Sequence, residues 1–461
     1  MVMAAGSLDR IETVSFENNS KKALVDNQQY GESSAKKLIG SALRSRVENI
    51  NHESCAPGEE DTFFVADLGH VYRQYLRWKR NLPRVKPFYA VKCNPDPQVL
   101  RLLSALGTGF DCASKTEIEQ VLNLGVESSR IIYAQPCKTN SYVRYVRTQG
   151  VRQMTFDNAD ELYKIAKLYP DAELFIRILT DDSSSLCQLG MKFGVSLDVT
   201  GSLLALAAQL GLRVVGVSFH IGSGASDPLA FYKAVRDADT VFEQAAAHGF
   251  ALHTLDVGGG FCSDASFEVM AGVLGSALDE FFPPHRGVHL IAEPGRYFVS
   301  SAFTIACNII ARRAVDHSRP QHVAGAGALG QGLPTLVEPR YMIYINDGLY
   351  GNFSGIMFDH QHPQAHILQA GARFLYDTPD AAAAKDGDGI EYSVWGPTCD
   401  GIDRIAESVR FTDHLAAGDW LYFEDMGAYT RCSATRFNGF SDDHDVIYVC
   451  SEPAAGALMR L

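Results

Sequence analysis

From about residue 85 to 295, short apolar, β-branched runs alternate with longer segments whose apolar positions recur every three to four residues. The short runs 87–91, 109–111, 131–134, 153–156, 173–178, 214–220, 253–257 and 288–293 predict strands, and segments such as 96–105, 116–123, 198–210 and 229–247 predict helices between them. Eight strands separated by helices predict a closed parallel barrel. After Ile310 the pattern changes to strands without intervening helices, at 341–346, 391–395, 420–423 and 446–449, which predicts an antiparallel β domain. The expected fold class is therefore α/β, a (β/α)8 TIM barrel with a C-terminal antiparallel β domain. The expected division is a polar, flexible tail over 1–45, a strand region joining the β domain over 46–67, the barrel over 68–306 and the β domain over 307–461. The stretches 323–332 and 377–386 read as long exposed loops.

Composition narrows the picture further. A chain of 461 residues with 46% hydrophobic and 21% charged residues is globular and too long for one core. No apolar run approaches the ~20 residues that cross a bilayer, and the N-terminal stretch has no hydrophobic segment of the kind a secretory signal needs, so a cytoplasmic location is expected. A net charge of −13 without a basic stripe excludes nucleic acid and anionic membranes as expected partners. The ten cysteines fall into no Cys-x-x-Cys pair, which suits reduced thiols. His360, His362 and His366 have no acidic or cysteine ligand at matching spacing, so they read as a surface loop and no metal is expected.

The chemically unusual residues sit where the barrel would gather them. Lys92, Asp111, Arg177, His220, the triplet Gly258, Gly259, Gly260, and Glu293 all fall at or just past the C-terminal end of a predicted strand, the face on which barrels collect their sites. A lysine amine is a poor nucleophile at its ordinary pKa of about 10.4, and burial at a strand end is a way to lower it, so Lys92 is a candidate covalent anchor for a carbonyl cofactor. Three glycines after a strand let main-chain N–H groups approach an anion with no Cβ in the way, and Arg296 adds a phosphate cation. Glu293 supplies a carboxylate able to keep a pyridine nitrogen protonated, and His220 can stack on a ring face. Together these describe a pyridoxal 5'-phosphate site.

Seven blocks in order carry a resemblance: Phe88-Tyr-Ala-Val-Lys-Cys-Asn94, Gly109-Phe-Asp-Cys-Ala-Ser114, Ser218-Phe-His-Ile-Gly-Ser223, Asp256-Val-Gly-Gly-Gly-Phe261, Ala292-Glu-Pro-Gly-Arg-Tyr297, Trp395-Gly-Pro-Thr-Cys-Asp-Gly401 and Met426-Gly-Ala-Tyr-Thr430. The chain resembles the fold-type III pyridoxal-phosphate-dependent basic amino acid decarboxylases, and within them the eukaryotic ornithine decarboxylase family. The resemblance implies that Lys92 anchors the cofactor, that Glu293 faces its ring nitrogen and that Asp111 holds their geometry, supported by Glu117 and Arg177. It implies phosphate binding by Ser223, Gly259, Gly260, Arg296 and Tyr429, with Gly258 in the same cradle, and stacking by His220. Asp359 and Asp400 would receive the distal amine of the substrate, with Tyr350 and Phe437 also lining its site. Cys399 would protonate the carbon that has lost carbon dioxide. Cys399 and Asp400 would come from the neighbouring subunit, which makes a homodimer with shared sites the expected assembly.

The implied reaction converts a basic amino acid, ornithine first, to a diamine and carbon dioxide, as in polyamine biosynthesis. Phe358 stands where a tyrosine is expected in many relatives, which leaves a more apolar wall and keeps lysine open as a substrate. A non-catalytic homologue of the antizyme-inhibitor kind is the remote alternative, and an antizyme-type regulator is a partner the resemblance leaves open. The chain ends soon after Ser451-Glu-Pro, without a long Pro/Glu/Ser-rich tail.

Overall fold

The computed structural model describes residues 34–315, 341–384 and 389–460. Strand β1 (Phe63–Asp67) leads into the helix Leu68–Asn81 and then into the barrel. The barrel strands are β2 (Val85–Ala90), β3 (Gly109–Cys112), β4 (Ile131–Tyr133), β5 (Gln153–Phe156) and β6 (Glu173–Arg177). After β6 comes β7 (Ser185–Cys187), outside the barrel; then β8 (Arg213–Ser218) within it, β9 (Ser223–Ala225) outside it, and β10 (Thr254–Asp256) and β11 (His289–Ala292) within it. The eight barrel strands close with every neighbouring pair parallel, in the order β10-β11-β2-β3-β4-β5-β6-β8. Strands of a barrel are covered on both faces, which is why they read as continuous apolar runs in the sequence. Side chains such as Phe88, Ile132, Phe175, Val215 and Ile291 fill the interior. The two short strands left out, β7 and β9, pair antiparallel with each other as a small arm over the barrel mouth, Cys187 opposite Ser223.

The second domain holds β12 (Phe303–Ala314), β13 (Tyr341–Ile345), β14 (His366–Ala370), β15 (Arg373–Phe374), β16 (Ile390–Trp395), β17 (Arg404–Phe411), β18 (Trp420–Phe423) and β19 (Val446–Val449). With β1 they make one nine-stranded sheet. That sheet is mixed where an antiparallel one is expected: β13 pairs parallel with β16, and β1 parallel with β19. Neither parallel pair is a hairpin: the whole barrel lies between β1 and β19 in the chain, and β14 and β15 lie between β13 and β16.

Residues 34–48 form a helix, against the polar tail expected over 1–45. Ala35, Leu43 and Val47 are buried and Ile39 packs against the same core, a spacing of four that marks one helix face. The expected loop 323–332 lies outside the described residues. Within 377–384 the chain makes a 3-10 turn at Pro379–Ala381, and the Asp377 carboxylate accepts from Lys36 at 2.5 Å. Among the described residues, no helix is long and apolar enough to cross a membrane.

Candidate active site

The strand ends converge as a barrel mouth should. Lys92 lies in a 3-10 turn, Val91–Cys93, immediately after β2, and the second domain holds that turn in place. The Tyr429 N–H donates to the Cys93 carbonyl at 3.0 Å, Asn94 Nδ2 donates to the Gly427 carbonyl at 2.8 Å, and Tyr89 donates its hydroxyl to the Asn94 carbonyl at 2.9 Å. Tyr429 adopts a positive φ of 55°, a strained conformation tolerated where the surrounding structure dictates it. Both domains therefore fix the position of one lysine.

The Lys92 ammonium pairs with the Asp111 carboxylate, which is buried in β3. Burial alone would lower the lysine, as expected from sequence. Asp111 outweighs it, with Tyr429 and Glu293 adding to the effect, and the amine is held above its ordinary value instead. The Lys92 side chain nevertheless keeps 41% of its area accessible. Solvent weakens the effect of that contact, but Asp111, Tyr429 and Glu293 all act in the same sense, so the raised direction stands. Asp111 Oδ1 has no partner, which leaves a buried acceptor aimed at the mouth.

Opposite the lysine, Glu293 follows β11 directly and faces Asp256, the last residue of β10. Burial raises both carboxyls; the Asp256 charge raises Glu293 further, while the hydrogen bond from Glu293 lowers Asp256, which burial still pushes up to about 7. The pair keeps a proton between them at neutral pH. Asp256 Oδ1 accepts the Gly258 N–H at 2.9 Å, and its carboxyl is hydrogen-bonded to Glu293. Asp256 is a site residue that sequence reasoning passed over: an aspartate before glycines reads as a turn cap, and it does cap, but its buried second oxygen and its contact with Glu293 depend on neighbouring strands.

The raised carboxyls have a stability consequence. Their folded pKa lies above the unfolded value of about 4, so the folded chain binds more protons, and stability falls as pH rises from about 4 to about 7. Cofactor-free protein is expected to lose thermal stability across that window, and Glu293→Gln should flatten the loss. Melting temperatures of both proteins at stepped pH values test this; parallel slopes would remove the shared proton.

The glycine triplet packs so closely on its neighbours that none of the three positions has room for a Cβ. Gly258 has φ +65° and a Cβ there would meet the Phe219 carbonyl at 2.0 Å; Gly260 has φ +104° and would meet the Gly222 carbonyl at 2.6 Å. A Cβ on Gly259 would collide with His220 Nε2 at 2.7 Å. His220 accepts the Gly222 N–H at its Nδ1, 3.0 Å, which puts its remaining proton on Nε2. Burial, with Arg177 and Lys92 adding, pushes it well below its ordinary value, so it is neutral. Arg177, at the end of β6, lies over the Phe193 ring at 5.1 Å. Glu117 accepts the Ala113 N–H at 2.6 Å and caps its own helix rather than bonding to Asp111.

Arg296 sits over the Tyr429 ring at 5.1 Å, and its guanidinium donates to Asp359 Oδ2. Its phosphate role and the substrate role of Asp359, expected separately, therefore meet in one ion pair. Ser223 lies on the β9 strand beside them. The remaining candidates form a second group. Tyr350 donates its hydroxyl to Asp400, holding that carboxyl below its ordinary value, and stacks on Phe437 at 4.3 Å. The Cys399 N–H donates to Asn438 Oδ1 at 2.9 Å. No hydrogen bond, ion pair or ring contact among the described residues joins Tyr350, Cys399, Asp400 or Phe437 to the Lys92 group. His366 stands in β14 and stacks on Tyr422 at 5.0 Å, with His360 and His362 in the loop before it.

A lysine beside a buried acceptor, three glycines at a strand end, an arginine and a proton-sharing carboxyl pair fit pyridoxal phosphate, with Asp111 Oδ1 left without a donor. The family described as pyridoxal-dependent decarboxylase, pyridoxal binding domain, matches residues 68–300, and the chain is a pyridoxal-phosphate-dependent carboxy-lyase. It is 71% identical over 428 residues to the ornithine decarboxylase of Neurospora crassa, covering 93% of this chain and 88% of that one. It is also 46% identical over 405 residues to antizyme inhibitor 2 of Xenopus laevis, covering 87% and 84%. Among solved structures it matches the Paramecium bursaria Chlorella virus arginine decarboxylase bound to agmatine, at a TM-score of 0.77 and 32% identity, over 90% of this chain and 100% of that one. The chain belongs to the ornithine decarboxylase family.

Proposed function

We propose that this protein decarboxylates L-ornithine to putrescine and carbon dioxide, and that it acts as a cytoplasmic homodimer with shared active sites. The observation that carries the substrate reading is Asp359: a carboxylate held against the phosphate-side arginine, at the edge of the Lys92 group, gives a distal ammonium its counter-charge. Retention of Lys92, Asp111, Glu293 and Cys399 together favours an enzyme over a non-catalytic, regulator-binding homologue.

When bound, pyridoxal phosphate supplies an electron-accepting ring for the carbon that loses carbon dioxide. Lys92 would hold that group through its amine, and Asp111 orients the lysine through their ion pair. Gly258, Gly259, Gly260, Ser223, Arg296 and Tyr429 hold its phosphate. Glu293 keeps a proton at the ring nitrogen, with Asp256 stabilising that charge balance from behind. His220, neutral and fixed by the Gly222 N–H, would stack on the ring and exclude water from it. Cys399 donates the proton that replaces carbon dioxide, and Asp359 with Asp400 receives the far ammonium of the substrate.

The dimer is supported by where the second group lies. Tyr350, Cys399, Asp400 and Phe437 bond among themselves or their neighbours and not to Lys92. Apolar side chains are exposed in the same segments: Phe358 is 77% exposed, and Met357, Ile402, Phe437 and Phe440 are exposed with it. A partner subunit would cover these and bring its Cys399 and Asp400 to this Lys92.

Ornithine and lysine differ by one methylene, worth about 1–3 kcal/mol in a fitted pocket. Turnover of the two at equal concentration should favour ornithine by about 10-fold or more. Equal rates would replace the proposal with a lysine/ornithine enzyme whose wall at Phe358 does not measure chain length.

A further inference from the structure

Asp359 has both oxygens engaged. Its Oδ2 accepts from Arg296, and its Oδ1 lies 3.3 Å from the Cys187 thiol. Cys187 ends β7 and stands opposite Ser223 in the arm over the barrel mouth. The arm is docked at several points: the Ser185 hydroxyl donates to the Ile221 carbonyl at 2.5 Å, and the Ser226 N–H donates to the Ser184 carbonyl at 3.2 Å. Gly222 turns beneath it at φ +89°, where any Cβ would come within 2.5 Å of the Ser185 side chain. The place of Cys187 is therefore dictated by the same stretch, His220 to Ser223, that carries the ring-facing histidine.

We propose that Cys187 is a positioning residue for substrate capture: its S–H, acting with Arg296, locks the Asp359 carboxylate in the orientation that receives the distal ammonium. This rests on the reading of Asp359 given above. Burial first, and the Asp359 carboxylate next, push the thiol up, so it stays protonated and donates at neutral pH. An aspartate free to rotate would have to be ordered by each incoming substrate, and that ordering is lost affinity rather than lost chemistry. No covalent step at the sulfur is involved.

The test uses the holoenzyme with Cys187→Ala, Cys187→Ser and Asp359→Ala, reading KM and kcat for ornithine beside the visible absorbance of the bound cofactor. Because S–H is a weak donor, Cys187→Ala should raise KM about 3- to 10-fold with kcat within about 2-fold. Cys187→Ser, which keeps a donor, should return KM close to the parent value. Cofactor absorbance should be retained in both Cys187 variants, which shows that they fold and load. Asp359→Ala should raise KM further, and adding Cys187→Ala to it should change nothing more, since the thiol then has no carboxylate to hold. If Asp359→Ala raises KM and Cys187→Ala does not, the positioning role is overturned and the Asp359 reading survives. If neither moves KM, the Asp359 reading itself falls. Equal KM increases in the alanine and serine variants would also overturn the proposal, because packing rather than donation would then be at work.

Discussion

Lys92→Ala is expected to abolish the visible absorbance of the bound cofactor and to lower turnover by about 10^3-fold or more, because the covalent anchor is the one role that no neighbouring group can assume. The amine projects from a turn pinned by Tyr429, Asn94 and Tyr89, and among the described residues no other lysine amine is placed on Asp111. A second effect accompanies the first. Asp111 is buried and one of its oxygens already lacks a partner, so removing the ammonium leaves a carboxylate in the barrel mouth without counter-charge. Lys92→Arg separates the two effects. The guanidinium keeps Asp111 paired but offers no usable amine, so turnover should fall as far while the melting temperature stays nearer the parent's than that of Lys92→Ala. Absorbance spectra, turnover and thermal melts of the three proteins decide it; a coloured, active Lys92→Ala protein would end the assignment of the anchor.

The sign of the charge effect on that lysine shows where sequence reading stops. The strand end was legible in Pro87-Phe-Tyr-Ala-Val-Lys92, but the lysine expected to be buried there keeps 41% of its side chain accessible, and the loss of hydration that would push its amine down is outweighed. What it meets is Asp111, nineteen residues on, and which partner a buried charge meets is a property of strand order rather than of local pattern. The barrel itself was legible for the opposite reason: strands covered on both faces carry apolar runs, and the helices between them carry their own period, so both signals are local. The parallel pairing of β1 with β19 joins two ends of the chain, and no local period records it. Helix 34–48 was visible in principle, in the four-residue spacing of Ala35, Ile39, Leu43 and Val47, but lysines and arginines between them made the stretch look merely polar. Asp256, Cys187 and the contact of Arg296 with Asp359 all lie across elements, and the glycine triplet and strand-end carboxylates were the parts that short motifs could announce.

Mixing inactive Lys92→Ala protein with inactive Cys399→Ala protein is expected to restore activity from near zero toward a quarter of the parent value. If the Cys399 and Asp400 turn serves the neighbouring subunit, a hybrid dimer contains one site with both lesions and one with none. Random exchange at equal amounts makes about half of all dimers hybrid, and each has one intact site of two, so about a quarter of all sites are whole. The structure motivates the experiment because the turn is stabilised within its own domain, through Asn438 on the Cys399 N–H and Tyr350 on Asp400, and would be presented intact to a partner even when its own barrel lacks Lys92. Asp403 supports it further: the Leu349 N–H donates to its Oδ1, while the Thr398 N–H and hydroxyl donate to its Oδ2. Neither substitution should disturb the other's half. With salt or mild denaturant added to speed subunit exchange, the recovered activity should rise with the hybrid fraction measured by native mass spectrometry. A mixture that contains hybrids yet stays inactive would mean that each chain completes its own site, and Cys399 would then have to reach Lys92 by a rearrangement within one subunit.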